Sequence, residues 1–344
     1  MLKNFLKKSN KTFVIAEIGV NHNNNISLAK KLILQAKLAG ADAVKFQTFK
    51  AKNLVLPGTR KVKYQLKNSN DNEDHFQMIK KLELSYKDHK TLFKYCKKIK
   101  IIFMSTPYDV KSAKFLNKLG VKIFKTASAD LIDYNLHSYL SKLKKPVIIS
   151  TGMSSIKDVQ RTLKIYKKNK NPNVVLLHCV SNYPCSLNSI NLNVLNNLKK
   201  LNFIVGYSDH SDDILTSCLA VSMGSRIIEK HFTLSKNLKG PDHKASFNVL
   251  ELKEMINQIR KTEVIMGTNI KKIQPEELEM SKISKKSLYF NKRKKKGTKV
   301  TYNDLISLRP GYGINPFSIT KIVGKKLKKD IKVNQIVKYD LLLK

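Results

Sequence analysis

Eight times along this chain a short β-branched run gives way to a stretch with helical periodicity, and few folds accept that many copies of one unit. The runs are 13–19 (FVIAEIG), 43–48 (AVKFQT), 101–106 (IIFMST), 123–128 (IFKTAS), 147–152 (VIISTG), 174–180 (VVLLHCV), 204–210 (IVGYSDH) and 226–232 (RIIEKHF). Most intervals have room for one helix and two loops. The interval between Thr48 and Ile101 is longer and holds an insertion rich in Lys and Asn. After the first run, Ser27 is placed to cap a helix whose apolar face is Leu28, Ala29, Leu32, Ile33 and Ala36, with Gly40 ending it. Eight such units predict an α/β chain with a TIM (β/α)8 barrel over 1–268. A doubly wound open sheet is the alternative, but it does not need so regular a repetition. A polar linker is expected at 269–283, and a small domain with short strands and turn chemistry at 284–344.

The runs begin apolar and end polar. Residues 226–228 are Arg-Ile-Ile, yet Glu229, Lys230 and His231 follow at once, and such groups are costly to bury without a purpose. The other runs behave alike, ending in Glu17, Lys45 and Gln47, Thr106, Lys125 and Ser128, Ser150 and Thr151, Asn182 and Tyr183, and Asp209 and His210. In a TIM barrel the C-terminal strand ends carry the active site. Any one of these side chains would pass for a satisfied strand end. All eight together point to a site.

Residue types suggest the chemistry. His210 and His231, on neighbouring strands, can reach one divalent cation and leave most of its shell to water or substrate. A lone histidine there would more often be structural. Lys45 and Lys125 are cations on otherwise apolar strands, suited to a carboxylate or phosphate. Glu17 and Glu229 suit a general acid, a general base or a water-mediated metal partner. Cys179 and Cys185 lack a clear neighbouring base and read as packing. The set fits a phosphorylated, carboxylated substrate, a carbonyl polarised by metal, and an aldol-like condensation.

The net charge of +41 invites a nucleic-acid reading. Only six of the 66 basic residues are Arg, however, and the lysines are spread over every segment. That pattern is a solvated basic surface, which still concentrates anionic substrates. No specific nucleic acid and no membrane are expected as partners. No signal peptide or membrane span is visible, and the four cysteines (Cys96, Cys179, Cys185, Cys218) show no CxxC spacing. A cytoplasmic protein with reduced thiols is expected.

Ten short stretches, in order, resemble the sialic acid synthase family: AEIGVNHN (16–23), ADAVKFQT (41–48), STPYD (105–109), STGMS (150–154), HCVSNYP (178–184), GYSDHS (206–211), EKHFT (229–233) and GPDHKAS (240–246), then SKKSLYF (284–290) and RPGYGINP (309–316). The last two resemble that family's C-terminal domain, an antifreeze-like (SAF, β-clip) fold. The resemblance implies condensation of phosphoenolpyruvate with N-acetylmannosamine, or a related N-acylated amino sugar, to a nonulosonic acid and phosphate. It implies that His210 and His231 hold Mn²⁺ or Mg²⁺. Lys45, Thr106, Lys125, Ser128, Ser150 and Asn182 would hold phosphoenolpyruvate, and Gln47, Tyr183 and Asp242 would line the sugar side. Glu17 would act near the reacting carbons; Glu229 stands beside it as a catalytic carboxylate on residue type and strand-end position. Arg309 would reach the sugar in the partner's barrel of a homodimer; a plain exposed turn is the other reading of Arg309-Pro310-Gly311.

Three departures from the family pattern stand out. Asp130 replaces a common Glu in KTASAD, Asn24 replaces a Gly after NHN, and Lys285-Lys286 replaces an Arg pair. The Asp130 loop and the 49–100 insertion are where the choice of sugar is expected to be made. A sialic-type substrate is the first expectation; a legionaminic or pseudaminic acid synthase using a diacetamido-trideoxy hexose is the runner-up. A barrel aldolase forming a Schiff base through Lys45 or Lys125, and a polyanion binder with an inactive barrel, are the readings from other classes.

Overall fold

The structure is a computed structural model describing residues 6, 11–68 and 72–343. All but one of the first ten residues, where a leader was judged absent, thus lie outside the described residues. The chain divides into two compact units, Met1–Gly267 and Thr268–Lys344.

The first unit is built on eight parallel strands: β1 (Phe13–Gly19), β2 (Ala43–Thr48), β3 (Ile102–Pro107), β4 (Phe124–Thr126), β5 (Val147–Ser150), β6 (Val174–His178), β7 (Ile204–Asp209) and β8 (Ile227–His231). Their order is β3-β2-β1-β8-β7-β6-β5-β4, so that β1 pairs with both β2 and β8. β3 and β4 lie side by side and bring the ends of that order together. Every strand is followed by at least one helix before the next begins or, after β8, by Val249–Met266. This is the eightfold barrel that the repetition predicts.

Period-two alternation explains why each run starts apolar and ends polar. On β1, Phe13 and Ile15 join the barrel interior, while Val14, Ala16 and Ile18 pack outward against helices. The same interior layer takes Ala43, Met104, Ile123, Ile148, Val175, Leu177 and Ile227 from the other strands. One step further along those strands the inward positions are Glu17, Lys45, Thr106, Lys125, Ser150 and Glu229. The bottom of the barrel is therefore an apolar plug and the top is a polar floor. Gly206 lies where there is no room for more: an added Cβ would come 2.5 Å from the Ile227 carbonyl oxygen.

Local expectations need two corrections. The helix Ile26–Leu38 is capped by Asn25, whose side chain accepts from the Leu28 N–H, and not by Ser27. Ser27 lies inside the first turn, and Asn25 has the extended backbone a cap needs. β4 stops at Thr126, because Ser128–Asp130 turns into a 3-10 helix. The insertion is structured where described, with helices Lys63–Asn68, His75–Lys81 and Tyr86–Lys98. Phe49, Ala51, Met78, Ile79 and Leu82 form a small apolar cluster there with Val20.

The second unit begins in the segment expected as a linker, which carries the helix Leu278–Ser284. Strands Ser287–Phe290 and Leu305–Leu308 pair antiparallel. Leu288, Phe290, Val300, Ile322, Leu327 and Val337 belong to its own core. Among the described residues no helix is long and apolar enough to cross a membrane.

Candidate active site

A cavity of about 510 Å³ opens at the C-terminal ends of the strands. Four charged side chains, one each from β1, β2, β4 and β8, meet on its floor. Lys45 Nζ lies 2.8 Å from Glu17 Oε2 and 3.8 Å from Glu229 Oε2, and Lys125 Nζ lies 3.4 Å from Glu229 Oε1. Lys45 also donates to Thr106 Oγ1 (3.0 Å), and Lys125 donates to Ser150 Oγ (2.5 Å) and to the Thr126 carbonyl (3.0 Å). All four charged groups are buried. Isolated, each would be costly there; alternating in sign, they compensate one another.

Environment separates the two carboxyls. Burial pushes Glu17 up to about 7, against the pull of Lys45 and with a further push from Glu229. Burial would also raise Glu229, but Lys125 and Lys45, with the hydroxyl of Ser208 donating at 3.0 Å, hold it down at about 2. Lys45 is raised despite its burial, by Glu17 and Glu229, whereas burial lowers Lys125. A carboxyl poised near neutrality beside one that stays ionised is the pattern of divided acid–base labour.

The histidines stand above this floor. His210 and His231 have ring centroids 5.6 Å apart, and Tyr183 leans on both, at 4.2 and 5.3 Å. His210 Nδ1–H donates to the Val180 carbonyl (2.6 Å), which leaves Nε2 as a lone-pair nitrogen facing Ser208 Oγ at 3.3 Å. His231 Nδ1 is buried without a hydrogen-bond partner. Burial drives His210 down to about 4 and His231 well below its ordinary value. Two neutral imidazoles, one with an orphaned nitrogen, suit a borderline divalent cation. Among the described residues no third His, Cys, Asp or Glu completes a ligand cluster. The pair therefore fits an open site whose remaining positions belong to water and substrate.

Glu17, Lys45, Gln47, Thr106, Lys125, Ser128, Ser150, Tyr183, His210, Glu229, His231 and Asp242 all line the one cavity. Burial raises Asp242 to about 6. Asp130 sits just behind Ser128 and Ala129 and does not line it. Its Oδ2 is buried and unpartnered, and burial, with a smaller push from Asp133, raises the carboxyl to about 7. Asn182 turns its amide to the Pro184 carbonyl (2.9 Å) and opens instead on a neighbouring cavity. Arg309 belongs to the second unit, exposed just beyond Leu305–Leu308.

Several lining residues escaped the sequence reading. Ser208 and Tyr108 were inside quoted motifs. Tyr64, His75, Met78 and Ile79, from the insertion, carried no signal of their own. The helix bearing Tyr64 reaches the cavity rim, where Tyr64 meets Tyr183 at 5.2 Å and Asn68 donates to the Pro241 carbonyl.

A TIM barrel that gathers paired lysines, paired carboxylates and two histidines around one cavity at its strand ends has the make-up of an enzyme active site. The chain matches the NeuB family over residues 32–271, and it belongs to that family, the sialic acid synthases. It is 43% identical to N,N'-diacetyllegionaminic acid synthase of Campylobacter jejuni, over 95% of this chain and 99% of that protein. It is 32% identical to human N-acetylneuraminate-9-phosphate synthase, over 96% and 92%. The crystal structure of N-acetylneuraminic acid synthetase from Leptospira borgpetersenii, in complex with citrate, superposes with a TM-score of 0.70 at 33% identity, over 79% of this chain and 91% of that one.

Proposed function

We propose that this chain is a nonulosonic acid synthase joining phosphoenolpyruvate to an N-acylated amino sugar, with release of phosphate. The observation that carries it is the buried Glu17–Lys45–Glu229–Lys125 cluster beneath two open histidines. Lys45 and Lys125, with Thr106 and Ser150, bind the phosphate and carboxylate; the incoming anion takes over the contact that Glu17 holds in its absence and leaves those of Glu229 in place. C3 of the enolpyruvyl unit attacks the sugar aldehyde, water adds at C2, a proton of that water ends on the former aldehyde oxygen as a hydroxyl, and phosphate leaves with its bridging oxygen as C2 becomes a ketone. Glu17 takes the proton of that water. Glu229 keeps both ammonium groups oriented and stays anionic throughout. His210 and His231 would hold a divalent cation, which would supply Lewis-acid polarisation of the aldehyde.

The sugar favoured is a 2,4-diacetamido-2,4,6-trideoxy hexose, ahead of N-acetylmannosamine. Two observations support the change from the first expectation: the greater identity to the diacetyllegionaminic acid synthase, and the apolar wall that Leu54, Val55, Val62, Met78 and Ile79 bring to the cavity. A deoxy carbon and a second acetyl methyl suit that wall better than hydroxyls do. Residues 284–344 would form an antifreeze-like domain that sends Arg309 to the partner's sugar site in a homodimer, in the cytoplasm.

Phosphate release from phosphoenolpyruvate by chelator-stripped protein, with and without Mn²⁺ and with each sugar separately, tests the reading. Release requiring both Mn²⁺ and the diacetamido sugar is expected. Release with N-acetylmannosamine alone would restore the sialic reading, and none with any sugar would end the synthase reading.

A further inference from the structure

His210 and His231 sit at adjacent strand ends, and the residues before them, Asp209 and Lys230, are register partners across β7 and β8. By strand alternation this second pair faces away from the barrel axis. It is nonetheless completely enclosed: the side chains are 0% and 1% exposed, with Lys230 Nζ 3.1 Å from Asp209 Oδ2. Asp209 Oδ1 accepts from the N–H and hydroxyl of Ser211 (2.9 and 2.8 Å), and Oδ2 accepts from Thr216 and Ser217 (2.8 and 2.7 Å). Lys230 donates to the Ser211 carbonyl and lies 3.9 Å above the centre of the Phe247 ring. Ser211 is thus bound at its N–H by the residue preceding His210 and at its carbonyl by the residue preceding His231. The backbone of His210 is bracketed on both sides.

We propose that Asp209 and Lys230 are a positioning pair that fixes the spacing and aim of the two imidazoles for a shared divalent cation. A buried ion pair adds little net stability over apolar side chains of the same volume, and its best-attested use is to specify register. Register matters acutely here, because a slip of one residue between β7 and β8 would turn an imidazole out of the barrel. Second-sphere groups of this kind are worth about ten- to a hundred-fold in metal affinity. The inference rests on reading His210 and His231 as the metal pair.

The test is Mn²⁺ binding to the chelator-stripped whole chain, followed by the electron paramagnetic resonance of free Mn²⁺, with apo-protein melting recorded alongside. Lys230→Met alone leaves a bare buried carboxylate and risks unfolding, so the informative variant is Asp209→Asn/Lys230→Met, which removes both charges at nearly constant volume. Its apo melting temperature is expected to stay within a few degrees of wild type. Its Kd for Mn²⁺ is expected to rise about ten- to a hundred-fold, while kcat at saturating Mn²⁺ falls much less. Ser217→Ala removes one hydrogen bond to Asp209 and keeps both charges; it is expected to weaken Mn²⁺ a few-fold, and it decides the matter if the double variant does not fold. A folded double variant, or failing that Ser217→Ala, that binds Mn²⁺ as wild type does overturns the proposal. Wild-type protein that binds no Mn²⁺ overturns the histidine reading itself, before any substitution is made.

Discussion

Glu17 and Glu229 share one ammonium group, that of Lys45, at 2.8 and 3.8 Å, yet they ionise at opposite ends of the carboxyl range, near 7 and near 2. The difference lies in Lys125, which pairs with Glu229 at 3.4 Å and pulls on Glu17 only weakly, and in Ser208, whose hydroxyl donates to Glu229. Of the two, Glu17 is therefore the one that changes state near neutrality. The profile of kcat/KM for phosphoenolpyruvate against pH should show a limb that rises through about pH 7 as Glu17 loses its proton. Glu17→Gln should lower kcat by about 10²- to 10⁴-fold and abolish that limb. Initial rates from pH 5.5 to 9 check both, and a limb surviving in Glu17→Gln would assign it elsewhere.

Lys125 pairs with Glu229 and donates to Ser150 Oγ and the Thr126 carbonyl, oxygen atoms all. In the proposed reaction it would bind an anion and form no carbon–nitrogen bond. Lys125→Met should reduce kcat/KM for phosphoenolpyruvate by about 10²- to 10³-fold, the usual scale for one lost electrostatic contact in a closed site. Borohydride added during turnover should leave the mass of the intact chain unchanged. A mass gain, lost in Lys125→Met, would establish the Schiff-base aldolase instead.

Val62 lines the cavity from the insertion and is 54% exposed, so a polar replacement there leaves the core intact. If the apolar wall selects the deoxy sugar, Val62→Asn should shift the ratio of kcat/KM values between the diacetamido sugar and N-acetylmannosamine by about tenfold toward the latter. Competition between the two sugars, read by product mass, measures that ratio. An unchanged ratio would remove this wall from substrate selection.

The barrel was legible because its signal is repeated and local: each strand shows an apolar start, a polar end and a helix after it. Alternation then places Glu17, Lys45, Lys125 and Glu229 on one floor without any knowledge of distances. What stayed hidden depends on tertiary placement. Tyr64 and Met78 sit on short helices of a Lys- and Asn-rich insertion, whose approach to the cavity no local pattern encodes. Lys230 sits on an outward-facing position between Glu229 and His231, and its burial comes from helix Ile214–Ser222 and Phe247, folded over it. Asn182 was assigned to the phosphoenolpyruvate site by motif, but its amide turns back to Pro184.

The eight histidines make the whole fold sensitive to acid. Every one is held below the ordinary imidazole value with burial as the largest cause, His22 to about 3 and His137, His210 and His243 to about 4. An unfolded chain takes up protons on these groups below about pH 6.5, while the native chain refuses them. The stability they contribute is therefore fully present above about 6.5 and is lost as pH falls toward 4. Glu17, Asp42, Asp130 and Asp242 act in the opposite sense, because burial raises them and the native chain keeps protons that the unfolded one has lost. Eight imidazoles outweigh four carboxyls, and the net charge of +41 grows further as pH drops, adding self-repulsion. The melting temperature of the metal-free protein should fall continuously from pH 7 to pH 5, and unfolding at pH 5.5 should take up protons. Calorimetry in buffers of different ionisation enthalpy reads that uptake directly. Proton release at pH 5.5, or a melting temperature that climbs on acidification, would mean that the raised carboxyls dominate the linkage.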